Sequence, residues 1–156
     1  ILALHAATGE YAWHFQLVPG DHWDYDATQP LMLADLEIDG RQRRVIMQAS
    51  KNAFFYVLDA ATGQFLSGTP YAQMNWATGI DPETGRPVEA AAAYEGMEPV
   101  IVTPDPGGAH NWYPMAFHPT TGLVYLPVKH GMFFIHPPDP GWQPGNRAFN
   151  AGIEPA

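Results

Sequence analysis

The stretch SKNAFFYVLDAATG, residues 50–63, determines how the rest of the chain is interpreted. Residues 54–58 are all aromatic, β-branched or aliphatic, which is typical of a β-strand buried on both faces. Residues 59–63 have turn chemistry, because Asp59 can bond to its own backbone and Gly63 can adopt a positive φ. The stretch therefore predicts a buried strand that ends in a tight turn.

Lys51 stands directly before this strand, in a chain with 7 Lys plus Arg and 16 Asp plus Glu. An ammonium beside so apolar a segment either reaches water along its own alkyl stem or serves an anionic or electron-rich ligand. The stretch by itself leaves both interpretations of Lys51 open.

The composition indicates a turn-rich β protein. The 156 residues include 16 Pro and 15 Gly, and 46% of them are hydrophobic. Short apolar runs between Pro and Gly favour an all-β fold over a helical one. No apolar run is long enough for a transmembrane helix, and no signal peptide is expected in these residues. Because Ile1 opens within a strand-like pattern, we expect the chain to be part of a longer protein.

The charge and the absence of cysteine exclude several classes of function. A net charge of −9 disfavours nucleic acid as a partner, since phosphates require clustered Lys and Arg. Arg41, Arg43 and Arg44 form the one basic cluster and are interpreted as a solvated hairpin. With no Cys in the chain, we expect no disulfide and no attached haem c. The His spacings match no zinc motif, so no metal ligands are predicted.

Further strands are predicted from apolar runs and turn signals along the chain. They are residues 1–4, 11–16, 31–38, 43–49, 115–117, 123–128 and 131–135, with a short outer strand at 65–66. Asp39-Gly40 predicts a hairpin turn. Residues 67–99 are predicted to be mainly loop and turn with one helical turn at 89–94, and residues 136–145 a surface loop.

A repeated turn links these strands. Two apolar residues, Asp or His, two spacers and Thr-Gly recur at residues 3–9, 57–63 and 116–122, with intervals of 54 and 59 residues. Such a period indicates β-propeller blades. The sequence thus predicts an all-β fold, a partial propeller of about two blades of four-stranded antiparallel sheet with long loop insertions. Residues 1–156 would be part of a single propeller domain whose ring is incomplete, because closure needs at least four blades.

The first copy of this turn, with Trp13 four residues after Gly9, resembles the tryptophan-docking motif of the pyrroloquinoline quinone (PQQ) dependent alcohol dehydrogenases of the methanol/ethanol family. His5 stands where that motif has Asp, and Ser67 and Leu126 replace the Trp in later copies. The order of segments 19–26, 29–35, 51–59, 75–79 and 107–115 is also similar to that family. The likeness is closest to the branch that oxidises ethanol and larger alcohols, which includes the quinohaemoproteins.

The resemblance implies an eight-bladed propeller in the periplasm, with PQQ and a calcium ion at its axis. The longer parent protein would oxidise primary alcohols to aldehydes by hydride transfer to PQQ and pass electrons to a cytochrome. The family's catalytic base and calcium ligands lie before the equivalent of Ile1, so the resemblance implies no catalytic and no metal-binding residue here. We therefore expect the isolated chain to be inactive. A haem c in the parent protein would not attach to these residues.

The same resemblance implies three cofactor-binding residues. Lys51 matches the cation that contacts the quinone oxygens, where a fixed positive charge stabilises electron density gained on reduction. Asn111 and Trp112 match an Asn-Trp pair at the cofactor's edge, which supplies an amide and a flat indole wall. Asp24 and Asp26 are interpreted instead as carboxylates that fix their loop.

Two alternatives accompany this hypothesis. The chain could belong to a non-catalytic propeller scaffold that binds proteins through PQQ-like repeats, although Lys51 and the Asn111-Trp112 pair argue against it. It could also be a truncated product that folds only by association. Because an open propeller has two unpaired sheet edges, we expect the remainder of the propeller or self-association to cover them.

Overall fold

The structure is a computed structural model of the 156-residue chain, and it describes residues 1–91, 98–137, 139–145 and 152–156. None of these residues is α-helical, and thirteen antiparallel strands account for the regular structure. The strands are β1 (Leu2–Leu4), β2 (Tyr11–His14), β3 (Met32–Ile38), β4 (Arg41–Ala49), β5 (Phe54–Asp59), β6 (Phe65–Pro70), β7 (Ala77–Ile80), β8 (Pro87–Glu89), β9 (Val100–Val102), β10 (Ala116–His118), β11 (Leu123–Tyr125), β12 (Phe133–Ile135) and β13 (Ile153–Pro155). The all-β prediction is confirmed.

The central sheet is a four-stranded antiparallel meander in the order β3-β4-β5-β6. Its first turn is the predicted Asp39-Gly40 hairpin, in which both residues have positive φ, 53° and 71°. β5 runs through the middle of the sheet, and its residues Phe54, Tyr56 and Leu58 are fully buried. The alternate residues of β5 are only partly buried, so this strand has one fully buried face rather than two.

The other strands of the described residues form one three-stranded sheet, β13-β12-β9, and the hairpins β1-β2, β7-β8 and β10-β11. This arrangement of antiparallel sheets confirms the predicted partial propeller, and only β3–β6 form a complete four-stranded sheet among the described residues. Strands β7, β8, β9 and β13 were not predicted. They have three or four residues each and lack a clear alternation, so pairing with a neighbour rather than local propensity defines them. Of the predicted helical turn at 89–94, residues 92–94 lie outside the described residues, and Glu89 belongs to β8.

The repeated turn has the same geometry in each copy. Gly9, Gly63 and Gly122 all have positive φ, and each donates its N–H to the carbonyl four residues earlier, at 2.7–2.9 Å. The structure adds a fourth such turn at residues 81–85, where Gly85 bonds to Asp81 O at 2.8 Å. This turn departs from the repeated sequence pattern because Gly79 stands in place of the first apolar residue.

Aromatic side chains cover two of these turn glycines. The Trp13 indole lies so close over Gly63 that an added Cβ there would be 2.5 Å from its Cε3 atom. Phe65 and Phe15 cover Gly85 in the same manner, and their rings stack with centroids 6.0 Å apart. In both cases a turn glycine packs against an aromatic ring from another segment. These contacts fix how closely the paired segments approach each other.

The main core lies on one face of the β3–β6 sheet. Its largest members are aromatic, and they include Trp23, Tyr25, Phe54, Tyr56 and Trp76, which are all fully buried. Trp23 and Trp76 approach with ring centroids 4.9 Å apart. The core joins the 17–25 segment to the sheet and to β9 and β12. It also contacts the turn that carries Lys51, because Trp76 Nε1 donates to Asn52 O at 2.9 Å. In the described residues no helix is long and apolar enough to cross a membrane.

Candidate functional site

The turn between β4 and β5 places Lys51 at the end of the central sheet. Ser50 N donates to Phe54 O at 3.1 Å, and Ala53 adopts a φ of 71° within the turn. The buried Asn52 side chain locks this conformation, because its Oδ1 accepts from Phe54 N at 3.1 Å and its Nδ2 donates to the Tyr56 hydroxyl at 2.8 Å. Lys51 is therefore held on a turn whose backbone is fixed by Ser50 N and by the Asn52 side chain.

The Lys51 side chain is buried, with 6% of the residue exposed. Its ammonium donates to the main-chain oxygen of Asp24 at 2.7 Å and to Asp26 Oδ1 at 2.6 Å, and a longer contact of 3.4 Å reaches Asp24 Oδ2. Both carboxylate side chains are more than half exposed. The ammonium thus does not extend freely into water. Asp24 and Asp26 tie their loop to the central sheet, as the loop-fixing interpretation expects.

A second loop covers the stem of Lys51. Gly108 has a φ of 77°, and a Cβ added there would overlap the Cα, Cβ and Cγ atoms of Lys51. Gly108 N donates to Asp105 O at 2.7 Å, and Ala109 N donates to Lys51 O at 3.0 Å. Only a residue without a side chain permits this approach. The 105–109 loop therefore sets the lateral position of Lys51.

Tyr25 connects the two loops beneath the ammonium. Its hydroxyl donates to Pro104 O at 2.5 Å. Burial, together with the negative charges of Asp21 and Asp105, raises the pKa of this hydroxyl well above its usual range. The Tyr25 hydroxyl consequently stays protonated across the pH range in which proteins function. Its hydrogen bond to Pro104 O holds the two loops together.

Asn111 and Trp112 follow the 105–109 loop. Asn111 Nδ2 donates to Gly107 O at 2.8 Å, whereas its Oδ1 is buried and has no partner among the described residues. Trp112 is 78% exposed and is not packed under a strand. Asn111 therefore retains an unused acceptor, and the Trp112 indole presents its surface outward.

Lys51, Asn111 and Trp112, the three predicted cofactor residues, line one open cleft of about 680 Å³, which we call the Lys51 cleft. It is completed by Asp24, Asp26, Thr28, Pro106 and Gly107. The Lys51 ammonium supplies N–H donors and the Trp112 indole a flat surface, which together suit a planar ligand that carries oxygen acceptors. These features fit one edge of PQQ, so the residues present are compatible with that group.

The sequence-based site lacked the partners of Lys51. The sequence pattern indicates a loop-fixing role for Asp24 and Asp26 but not their contact with the ammonium, and it gives no signal for Gly108 or Thr28. The one sequence signal for this contact is the pair Gly107-Gly108, because adjacent glycines permit the close approach of that loop to the Lys51 backbone. Among the described residues, no group of three or more His, Asp or Glu side chains is arranged to hold a metal ion.

Comparison with known proteins supports the same class of fold. Residues 1–74 match the family described as "PQQ: Glucose/ethanol/alcohol dehydrogenase, beta-propeller domain". The quinohemoprotein alcohol dehydrogenase of Comamonas testosteroni is 52% identical over 129 residues, which are 83% of this chain and 18% of that protein. The 1-butanol dehydrogenase (cytochrome c) of Thauera butanivorans is 46% identical over 132 residues, 83% of this chain and 18% of that protein.

A solved structure extends the match to almost the whole chain. The crystal structure of quinohemoprotein alcohol dehydrogenase from Comamonas testosteroni superimposes with a TM-score of 0.86 and 45% identity, over 98% of this chain and 23% of that one. The fold is therefore part of a PQQ-type β-propeller. The chain is homologous to a segment of the quinohaemoprotein alcohol dehydrogenases, which confirms the resemblance found in the sequence. It spans about a fifth of the length of the curated relatives it matches.

Proposed function

We propose that the protein to which this chain contributes is a PQQ-dependent alcohol dehydrogenase that oxidises primary alcohols to aldehydes and passes the electrons to a cytochrome. The observation that carries the proposal is the Lys51 cleft, where residues about sixty positions apart in sequence line one surface. The names of the relatives, one of them a cytochrome-c-linked butanol dehydrogenase, support alcohol as the substrate and a cytochrome as the acceptor.

In this proposal Lys51 contacts the oxygens of the cofactor. PQQ supplies, when bound, a reducible quinone that takes up the electrons of the alcohol. A cation that is already fixed before ligand binding needs no reorganisation to stabilise negative charge developing beside it. The contacts of Lys51 with Asp24 and Asp26 provide that fixed position.

Asn111 and Trp112 would hold the same ligand from the opposite loop. Asn111 lines the cleft beside Trp112, and the exposed Trp112 indole offers a flat apolar surface. Stacking on an indole and a directed amide bond would fix both the plane and the rotation of a planar ligand. A protein-binding scaffold gives no reason for these groups to meet beside a buried ammonium.

Further parts of the proposal come from the homology. We propose that residues 1–156 lie within one propeller domain, that calcium is bound by residues outside this chain, and that the protein is periplasmic. A haem c elsewhere in the protein is consistent with the quinohaemoprotein relatives. The unpaired edges of the described sheets would be covered by further blades or by a second copy of the chain, and sedimentation of the chain alone would detect such association.

Reconstitution tests the proposed function. The protein that contains this chain is to be supplied with PQQ and calcium, and dye-linked oxidation of ethanol and 1-butanol is to be measured. We expect oxidation that depends on added PQQ. Failure to bind PQQ, with no alcohol oxidation by the folded protein, would contradict the proposal. Recovery of the protein in a periplasmic fraction would check its location.

A further inference from the structure

Three polar side chains outside the 50–53 turn are almost completely buried among the described residues, and hydrogen bonds connect them. They are Gln29, Gln48 and His110. Gln48 Nε2 donates to Gln29 O at 2.8 Å, and Gln29 Nε2 donates to His110 O at 3.3 Å. Each of the two amides thus binds a main-chain oxygen in another segment. Burying an amide is costly unless it forms such bonds, so these side chains fix the main chain of residues 29 and 110.

His110 is anchored through both its ring and its main chain. Its Nδ1 lies 2.9 Å from Pro127 O, and because a carbonyl oxygen only accepts, Nδ1 carries the hydrogen and donates it. The preceding residue makes two more bonds, from Ala109 N to Lys51 O at 3.0 Å and from Lys129 N to Ala109 O at 2.9 Å. With the amide bond described above, the main chain at this point is attached to three separate segments.

The anchored main chain leads directly into Asn111 and Trp112, the pair proposed to contact the cofactor. The Asn111 amide donates to Gly107 O at 2.8 Å, within its own loop, and the Trp112 side chain is exposed. These side chains can adjust to a ligand, whereas the main chain that carries them is fixed. The anchored main chain therefore sets how far the pair lies from the Lys51 ammonium.

We infer that His110 and Gln29 are positioning residues for the Asn111-Trp112 pair, and that Gln48 in turn holds Gln29. The identity of the ligand in this inference rests on the proposed function. The Lys51 cleft, as the described residues define it, is lined by neither His110 nor Gln29, so both act through the main chain that carries the pair. A loop that is already ordered avoids the cost of ordering it when the ligand binds.

Paired substitutions separate the hydrogen bonds of these side chains from their shapes. In His110→Asn the amide nitrogen takes the place of Nδ1, because both atoms are bonded to Cγ, so the bond to Pro127 O is kept. His110→Phe keeps a ring but has no donor. Gln29→Met keeps the length of the side chain but has no amide. The matched control is Gln42→Met, at an exposed glutamine of β4.

The first measurement needs no cofactor. Hydrogen exchange of the Ala109 and Lys129 amides, both hydrogen-bonded at this point, is to be followed by mass spectrometry in the protein that contains this chain. Loss of an anchoring bond should make local opening easier. We expect exchange about tenfold faster in His110→Phe and about threefold faster in Gln29→Met, whose bond is the longer one. In His110→Asn and Gln42→Met it should stay within about twofold of the unmodified protein.

The second measurement is equilibrium binding of PQQ, followed by quenching of tryptophan fluorescence. His110→Phe and Gln29→Met should each weaken binding about three- to tenfold, the range expected for one lost hydrogen bond. The same substitutions are then made in a background that carries Asn111→Ala and Trp112→Ala. There each should change the affinity by less than about twofold, because the side chains through which it acts are gone. A merely structural role would weaken binding by the same factor in both backgrounds.

The outcomes separate this inference from the proposed function. Equal exchange in His110→Phe and His110→Asn, or equal losses of PQQ affinity in the two backgrounds, would overturn the inference and leave the proposed function standing. If Gln29→Met does not fold, the two His110 variants decide the same question. The expected exchange pattern in a protein that binds no PQQ would overturn the proposed function, while the anchoring of the loop by His110 would be supported.

Discussion

Lys51 and Trp112 line the same cleft from two loops, and the protein positions them by different means. Lys51 is 6% exposed, and its ammonium, its stem and its main-chain oxygen all contact other parts of the chain. Trp112 is 78% exposed on the opposite loop. A buried charge is costly unless it is paired, so the fold must supply partners for Lys51. An exposed indole has no such requirement, and the ligand itself can complete its contacts.

The Lys51 side of the cleft is therefore preformed, and the Trp112 side is adaptable. Substitutions around Lys51 should therefore affect both the fold and the function, whereas substitutions at Trp112 should affect ligand binding alone. Substitutions at Lys51, Gly108 and Trp112 test that distinction, and the pH dependence of unfolding tests the core that contains Tyr25 and Tyr56.

Lys51→Ala should lower kcat for alcohol oxidation at least about 100-fold in the PQQ-reconstituted protein, because it removes a preorganised positive charge. Dye-linked turnover measures the effect. Lys129→Ala is the matched control, since that lysine is half exposed and forms a pair of a kind that contributes little, so turnover should stay within about twofold. Full activity of Lys51→Ala would remove its assigned role.

Gly108→Ala should lower the free energy of unfolding by about 2–3 kcal/mol, because the new Cβ overlaps the Lys51 stem at a positive φ. Gly122→Ala separates the two causes. Gly122 has a similar φ of 69° but open space around it, so that variant should cost only about 1 kcal/mol. Urea unfolding measures both values. Equal costs would show that contact with Lys51 contributes nothing.

Trp112→Ala should weaken PQQ binding about five- to tenfold, the contribution expected of one aromatic contact. Its free energy of unfolding should change by less than about 0.5 kcal/mol, because the side chain is exposed. Fluorescence titration and urea unfolding measure the two effects, with Tyr125→Ala as an exposed aromatic control on β11. A large loss of stability in Trp112→Ala would contradict the proposed difference between the two sides.

The buried core beneath Lys51 should unfold more readily at alkaline pH. Burial raises the pKa of Tyr25, Tyr56 and Tyr71 well above the usual value near 10. Above about pH 10 the unfolded chain loses these protons while the folded chain keeps them, so stability falls as pH rises. The free energy of unfolding, measured by urea from pH 8 to 11, should decline.

Tyr56→Phe sharpens this test. Its hydroxyl accepts from Asn52 at 2.8 Å and donates to Leu17 O at 3.2 Å, so the variant should lose about 1 kcal/mol at neutral pH. The variant should also show a shallower alkaline decline, because one group fewer releases a proton on unfolding. An unchanged decline would mean that Tyr56 is not among the responsible groups.

Much of the fold followed from local sequence patterns. The Asp39-Gly40 hairpin, the strand from Phe54 and the turns at Gly9, Gly63 and Gly122 all depend on interactions within a few residues, so their residue types suffice to predict them. The strands β7, β8, β9 and β13 escaped prediction because their residues show no clear alternation, and pairing with a neighbour defines them. The equally short β1, β2, β10 and β11 were predictable because each flanks a Thr-Gly turn of the repeat.

The amino-acid sequence by itself determined that the chain is an all-β propeller segment, and that Lys51, Asn111 and Trp112 are the residues to examine. Only the tertiary structure decided how Lys51 is held. Its ammonium bonds to residues 25 and 27 positions away, and its stem is covered by Gly108. Such contacts depend on where the aromatic core and the loops bring distant segments together. No spacing along the chain encodes that three-dimensional arrangement.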